Sequence, residues 1–494
     1  MRRRIIAIAV TAALLASSSG CLKPVHFPSE PLPSPPEDNK VFSAFDANHD
    51  GKADFFTYVN AAGRVWRIGY DTNNDARADV NVDLDAIYFA QCRHLVIILD
   101  GFGYDLVKKY YDNGGLRMFH APSRVVAPYP SITDPSLEDI LGYMPCRAFE
   151  ARYFDRRSNR LAGGSSDYLT GINEPYNRLL QYRAKLIWDA IGYVEPWPVF
   201  GKEINDAKRV FDKAATQEML AYFVSSAGVS TRLGAAGQVK CLRRVDQLVN
   251  QVVWETRGLT KITLLSDHGH TYTTAKRIEL EKYLAKKGWR LANSLRGPKD
   301  AAFILFGLVT FGSFATNKPQ ALASDLIGAE GVDLASFADK DAAVVLGADS
   351  SRAIIRRSPS GRYKYEALSG DPLQLKGILA RLGSDREGYY DADELLKATI
   401  THTWPAPLQR LWRAHFALVQ NPPDVIVSLA DGFYAGSRSF AGTVDIASTH
   451  GGLNYKNSVT FIMSTAGPLP PVMRTQDVPV RMRELTKNSW PAGR

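Results

Sequence analysis

With 494 residues, 45% of them hydrophobic, and a formal net charge of +9, the chain has apolar material for a large core and length for about two to four domains. The charge is modest for that size, and no stretch interleaves clustered basic and aromatic side chains, which excludes an evident nucleic-acid groove. Beyond the leader, no run approaches membrane-spanning length.

The leader is residues 1–21. Arg2, Arg3 and Arg4 precede an apolar run over 5–16, and small residues over 17–20 lead into Cys21, the pattern of a secretory signal. The stretch "LLASSSGC" resembles a bacterial lipoprotein signal, which implies that Cys21 is lipidated and becomes the mature N-terminus. A plain secretion signal with Cys21 incidental is the alternative. Both readings export the chain, and the first holds it to a membrane by a lipid anchor, facing the periplasm. Loss of the three leader arginines leaves a charge of +6, and Cys92, Cys146 and Cys241 then allow at most one internal disulfide. Residues 22–40 are rich in Pro and Ser, which predicts an extended tether.

Residues 41–85 nearly repeat themselves, "DANHDGKAD" from Asp46 returning as "DTNNDARAD" from Asp71. Oxygen donors at alternate places (Asp46, Asn48, Asp50, Asp54; Asp71, Asn73, Asp75, Asp79) suit Ca2+, although both loops lack the twelfth-position Glu of an EF-hand. Turns capped by Asp and Asn side chains account for the same pattern. The intervening "FFTYVNAAGRVWRIGY" reads as a hairpin, so 41–85 is expected to be a small β module.

Over 90–490, short apolar runs alternate with helical stretches: "HLVIILDG", "AKLIWDAIGY", "QEMLAYFVSS", "QVKCLRRVDQLVNQVVWE", "KITLLSDHG", "DVIVSLADG" and "SVTFIMS". That alternation predicts an α/β fold, a doubly wound, mostly parallel sheet with helices on both faces, with function at the carboxyl ends of the strands. The span 271–423 exceeds one crossover connection and is expected to include a cap that shapes a substrate pocket.

Asp100 ends "LVIILD", Asp267 and His268 end "ITLLSDH", and His450 follows "VDIAS". Between them "APYPSITDPSLEDILGYMP" sets the hydroxyl of Thr133 at a turn before a helix expected from about Ser136. A hydroxyl at a helix N-terminus beside a divalent metal ionises and attacks phosphorus. In their order, "ILDGFG", "YPSITDP", "SDHG" and "THGGLN" resemble the alkaline phosphatase superfamily, in its type I phosphodiesterase and nucleotide pyrophosphatase branch. The resemblance implies Thr133 as nucleophile, one zinc held by Asp100, Asp267, His268 and Thr133, and a second zinc with His450 among its ligands. It implies a phosphorylated small-molecule or envelope substrate. Asp267 and His268 are then neighbours because a carboxylate and an imidazole address one metal. "HAPSR" at 120–124 is similar to a sulfatase signature, but His120 stands where its Cys or Ser is required.

The pattern also breaks. The family's Asp-x-x-x-His-x-x-Gly segment, source of two ligands for the second zinc, corresponds to "SSAGVSTRLG", with Ala227 and Thr231 in the ligand places. His270 is the nearest replacement, though a solvent-facing loop position is expected for it. Ser136 stands where the branch has an Asn donor to the phosphoryl oxygen and retains one hydroxyl for that contact. His402 and His415, near Trp404 and Trp412, are expected to pack. The leading reading is a phosphoric ester hydrolase of the cell envelope. A non-catalytic binding lipoprotein on the same fold, and a phosphotransferase acting on envelope glycans or lipids, are the alternatives.

Overall fold

The structure is a computed structural model describing residues 24–33, 41–185, 188, 191–436, 446 and 448–491. Cys21 and the leader lie outside the described residues. Among those described, no helix is long and apolar enough to cross a membrane, and Cys92, Cys146 and Cys241 are buried and free.

A seven-stranded sheet carries the first apolar runs, in the spatial order Val472–Arg474, Ser123–Val126, Val459–Ser464, Thr260–Ser266, Arg93–Leu99, Glu218–Phe223, Tyr182–Arg183. Arg93–Leu99 is central and parallel to both neighbours, while Val459–Ser464 is antiparallel to both of its own. Alternate residues of the central strand enter two cores. Leu95, Ile97 and Leu99 pack with the helices Tyr104–Asp112, Pro196–Lys213 and Ser225–Glu255. Val96 and Ile98 pack with Thr133–Leu141 and Val478–Thr486. Burial on both faces is why the strand is a continuous apolar run, not an alternating one.

Residues 290–429 build a second sheet of eight strands, in the order Arg290–Leu291, Asp300–Ile304, Phe311–Thr316, Val425–Leu429, Val332–Asp339, Ala342–Gly347, Arg352–Arg357, Tyr363–Ser369. Its pairings are antiparallel except the first. Val425–Leu429, expected from its sequence among the parallel strands, lies here instead, antiparallel to both neighbours. Its residues also divide between two cores, Ile426 into one and Val425, Val427 and Leu429 into the other. A strand buried on both faces reads alike in either sheet.

Residues 41–85 form a four-stranded antiparallel meander, Ser43–Phe45, Phe55–Val59, Val65–Tyr70 and Val80–Asp83. Phe55, Ile68 and Tyr70 share a core with Leu95 and Val253, so the meander is packed onto the main body. In its repeats the carboxylates cap backbone. Asp46 accepts the N–H groups of Asp50 and Gly51, Asp54 those of Ala47 and Asn48, and Asp71 those of Asn73, Asn74, Asp75 and Ala76. Asp79 takes both the N–H and the hydroxyl of Thr72. Among the described residues, neither loop brings ligand atoms of three acidic, His or Cys side chains within 4.8 Å of one another. Backbone capping of this kind is what the second reading of the repeats expects.

The start of the expected tether is docked. Gln251, wholly buried on the helix Ser225–Glu255, accepts the N–H groups of His26 and Phe27 and donates to Pro24 O at 2.7 Å. Arg244 donates to Val25 O at 2.8 Å. Phe27 enters the ring cluster of Phe45, Phe55 and Trp254. The segment is pinned because Val25 and Phe27 put apolar side chains of a Pro-rich stretch into the core.

Candidate active site

Leu99 pairs with Ser266 in parallel register, so the residues that follow, Asp100 and Asp267, leave adjacent strands at the same level. Tyr222, on the neighbouring strand, donates its hydroxyl to Asp100 Oδ2 at 2.5 Å, and Ser226 Oγ receives Asp100 N–H at 2.7 Å. Asp267 Oδ1 is fixed by the N–H groups of Gly101 (3.0 Å) and His268 (2.9 Å). Gly269 is required after them, because a Cβ there would stand 2.1 Å from Lys456 O.

His268 Nδ1 lies 2.8 Å from Gly269 O, a carbonyl that fixes the ring proton on that nitrogen. Burial holds the ring neutral, with its pKa pushed down to about 3. Nε2 therefore presents a lone pair, 3.5 Å from Asp100 Oδ1 and 3.4 Å from Asp267 Oδ2, both longer than a normal hydrogen bond. Three electron-pair donors thus converge in a buried place, and they form the one group of potential metal ligands among the described residues. Burial also lifts the Asp267 carboxyl to about 6. A divalent cation fits this donor set, because it removes the mutual repulsion and supplies the charge that burial opposes.

Thr133 is the first residue of the helix Thr133–Leu141, which begins three residues earlier than expected because Pro135 is tolerated in a first turn. Its Oγ1 is 3.4 Å from His268 Nε2, at the same convergence point. Ser136, expected to touch a phosphoryl oxygen, does not face the site: it is buried one turn on, and its hydroxyl donates to Ile132 O at 2.7 Å. The back-bond of a hydroxyl to the preceding turn is the usual alternative for a Ser inside a helix.

His450 stacks on His268, ring centroids 4.1 Å apart. His270 is fully buried, contrary to the solvent-facing position expected of it; Ser448 Oγ lies 2.8 Å from its Nδ1, and burial pushes its pKa down to about 3. Its Nε2 has no hydrogen-bond partner among the described residues, and its ring lies 5.4 Å from that of His450. Ala227 and Thr231 are buried in the first turns of Ser225–Glu255. Thr231 faces the cavity with Thr133 and His450, a position from which a histidine would reach inward, but it offers no imidazole. His415 meets Ser336 Oγ at 3.0 Å and His402 lies against Trp404, both away from this site.

Asp100, Thr133 and His450 open onto a cavity of about 880 Å³. Asp134, Glu174, Tyr176, Arg183 and Tyr222 line it near Thr133, and Phe149, Glu150, Arg152, Tyr168 and Leu305–Val309 line the rest, with Leu305, Phe306 and Gly307 contributed by the second sheet's connection. Two acids are already matched: Glu174 pairs with Arg183, and Asp134 accepts Tyr176 OH at 2.8 Å. Arg410, buried and lacking a carboxylate partner among the described residues, ties the segment before Thr133 to the one after His450 by donating to Pro128 O, Ser131 Oγ, Leu453 O and Ser458 Oγ. Neither Tyr222 nor Arg410 carries a signal in the sequence, since both sit in ordinary apolar or amphipathic stretches.

No family model matches the chain, and no curated protein matches it by sequence. Among solved structures it is similar to murine ectonucleotide pyrophosphatase/phosphodiesterase 5, at 14% identity and a TM-score of 0.42, over 81% of this chain and 97% of that one. The human counterpart gives 12% identity and a TM-score of 0.44, over 81% and 96%. An inactive variant of the murine protein in complex with AMP gives 13% and 0.42, over 81% and 97%.

Proposed function

We propose that the chain is a metal-dependent phosphodiesterase of the cell envelope, acting through Thr133 on a phosphorylated small molecule or envelope component, exported and held by a lipid on Cys21. The observation that carries the reading is the convergence of Asp100, Asp267 and His268 beside the Thr133 hydroxyl, where Asp100 and Thr133 open onto a cavity. Zinc suits these ligands, and when bound supplies the charge that lowers the pKa of a hydroxyl and balances a phosphoryl oxygen.

The chain's own residues do the rest. Tyr222 and the Gly101 and His268 amides hold the two carboxylates in place, and Gly269 O holds the ring proton of His268 away from the site. Thr133 opens its helix, where first-turn N–H groups left over by helix geometry and the positive end of the dipole favour a phosphoryl oxygen. With Ser136 bonded to its own helix and Pro135 lacking an N–H, the Thr133 and Asp134 amides are the donors the helix offers there. His450 and His270 provide two neutral imidazoles next to the first ligand set, without the carboxylate that a full second one would add.

Zinc content and turnover of bis-p-nitrophenyl phosphate test the reading together. About one tightly held zinc per chain is expected, with turnover lost on chelation and restored by zinc. Absence of both zinc and turnover overturns it.

A further inference from the structure

Glu150 lines the cavity without a cationic partner among the described residues. Its Oε1 accepts one hydrogen bond, from Gly307 N–H at 2.9 Å, and among the described residues no Lys, Arg or His forms an ion pair with it. The approach is close: a Cβ on Gly307 would stand 2.3 Å from that oxygen, so the carboxylate takes this place beside a residue that has none. Phe149, Tyr168 and Phe306 share this part of the wall, and the rings of Tyr168 and Phe306 lie 5.6 Å apart. Burial has pushed the Glu150 carboxyl up to about 7, so a cation arriving beside it would be drawn in as the acid ionises.

We propose that Glu150 and these rings form a subsite for an ammonium group on the substrate. An anionic oxygen and aromatic faces are the two protein surfaces that attract an organic cation, and together they favour it over its neutral isostere, which gains nothing from ionisation of the acid. The phosphate end would lie at Thr133, an assignment resting on the phosphodiesterase reading. The substrate class is then a phosphate ester whose alcohol carries an amine. Arg152 lines the same cavity, its guanidinium near Leu305 O at 3.5 Å, and it complements a phosphate or carboxylate, not an amine.

Calorimetry on the full chain, with aminoethyl, aminobutyl and aminohexyl phosphate against propyl, pentyl and heptyl phosphate, isolates the amine at three reaches. At least one amine is expected to bind tenfold or more tightly than its isostere, and Glu150→Gln should erase that preference while Arg152→Gln preserves it. Equal binding of all pairs by the parent, failure of every ligand to bind, or a preference that survives Glu150→Gln overturns the subsite. Turnover of bis-p-nitrophenyl phosphate, measured in parallel, reports on the phosphodiesterase reading separately. Turnover without amine preference sinks only the subsite, and amine preference without turnover sinks only the enzymatic reading.

Discussion

The imidazoles of His268 and His450 lie face to face, centroids 4.1 Å apart and planes inclined by 15°. One belongs to the converging ligand set and the other faces the cavity, so the two rings serve different tasks although they touch. His268→Ala is expected to lose both bound zinc and turnover. His450→Ala is expected to keep about one zinc per chain while turnover falls roughly a hundredfold or more, since an imidazole next to the reacting group contributes on that scale. Metal analysis beside rate measurements separates the two.

Thr133→Ala should reduce phosphodiester turnover on the order of a thousandfold or more, as removal of a nucleophile does, with zinc content and melting temperature near those of the parent. Thr133→Ser should recover a measurable part. Ser131, the nearby hydroxyl, cannot substitute: it is buried, with its Oγ on Pro128 O and Gly452 O. Full activity in Thr133→Ala removes the nucleophile assignment.

Acid sensitivity is expected from His415, which burial holds neutral with its pKa lowered from 6.5 to about 4. Its folded pKa lies below the unfolded one, so as pH falls through 6.5 the unfolded chain takes up a proton that the folded chain refuses. The stability is complete above 6.5 and is lost toward pH 4, at about 1.4 kcal/mol per pH unit. His415→Gln should flatten the dependence of the urea midpoint on pH by that amount between those limits. An unchanged slope contradicts the assignment.

Phe27→Ala should destabilise the chain by about 3 kcal/mol, the usual effect of emptying a buried aromatic site, and Gln251→Ala by about 1–3 kcal/mol, through unmet backbone groups of the docked segment. Urea unfolding checks both. A Phe27→Ala midpoint equal to that of the parent would mean that residues 24–27 do not hold to the body in solution.

If Cys21 carries the lipid, two residues separate it from Pro24, where the hydrogen-bonded segment begins. The body should then sit close to the membrane, within roughly 10 Å at full extension of the link. Mass spectrometry of the mature N-terminus should find a lipid-modified Cys21, and Cys21→Ser should move the chain to the soluble envelope fraction. Cleavage elsewhere, with Cys21 unmodified, refutes the anchor.

Much of the site was legible because strand ends are local. An apolar run that stops in "LDG" or "SDHG" announces where the strand ends, and the residue type announces the chemistry. Asp100, Asp267 and His268 were reached that way, and Thr133 from the Pro-flanked turn before its helix and the resemblance of "YPSITDP"; the structure brings the four to one point. Directions within an element were not legible: nothing in "TDPSLED" tells that Ser136 turns back to Ile132, or that the helix begins at Thr133. Nor does "DHGHTY" tell that His270 is buried, because Ser448 and Ser230, which close over it, lie far away in the chain.

By itself the sequence determined where the apolar runs end and which oxygen and nitrogen donors stand there, since a two-sided strand must be apolar until it leaves the core. The tertiary structure decided which ends are neighbours. The register of Leu99 with Ser266 sets Asp100 beside Asp267 across 167 positions of chain, and Gly307 meets Glu150 across 157. Those meetings depend on how the two sheets stack and which face each connection covers, and such long-range packing leaves no periodic trace in the residues it brings together.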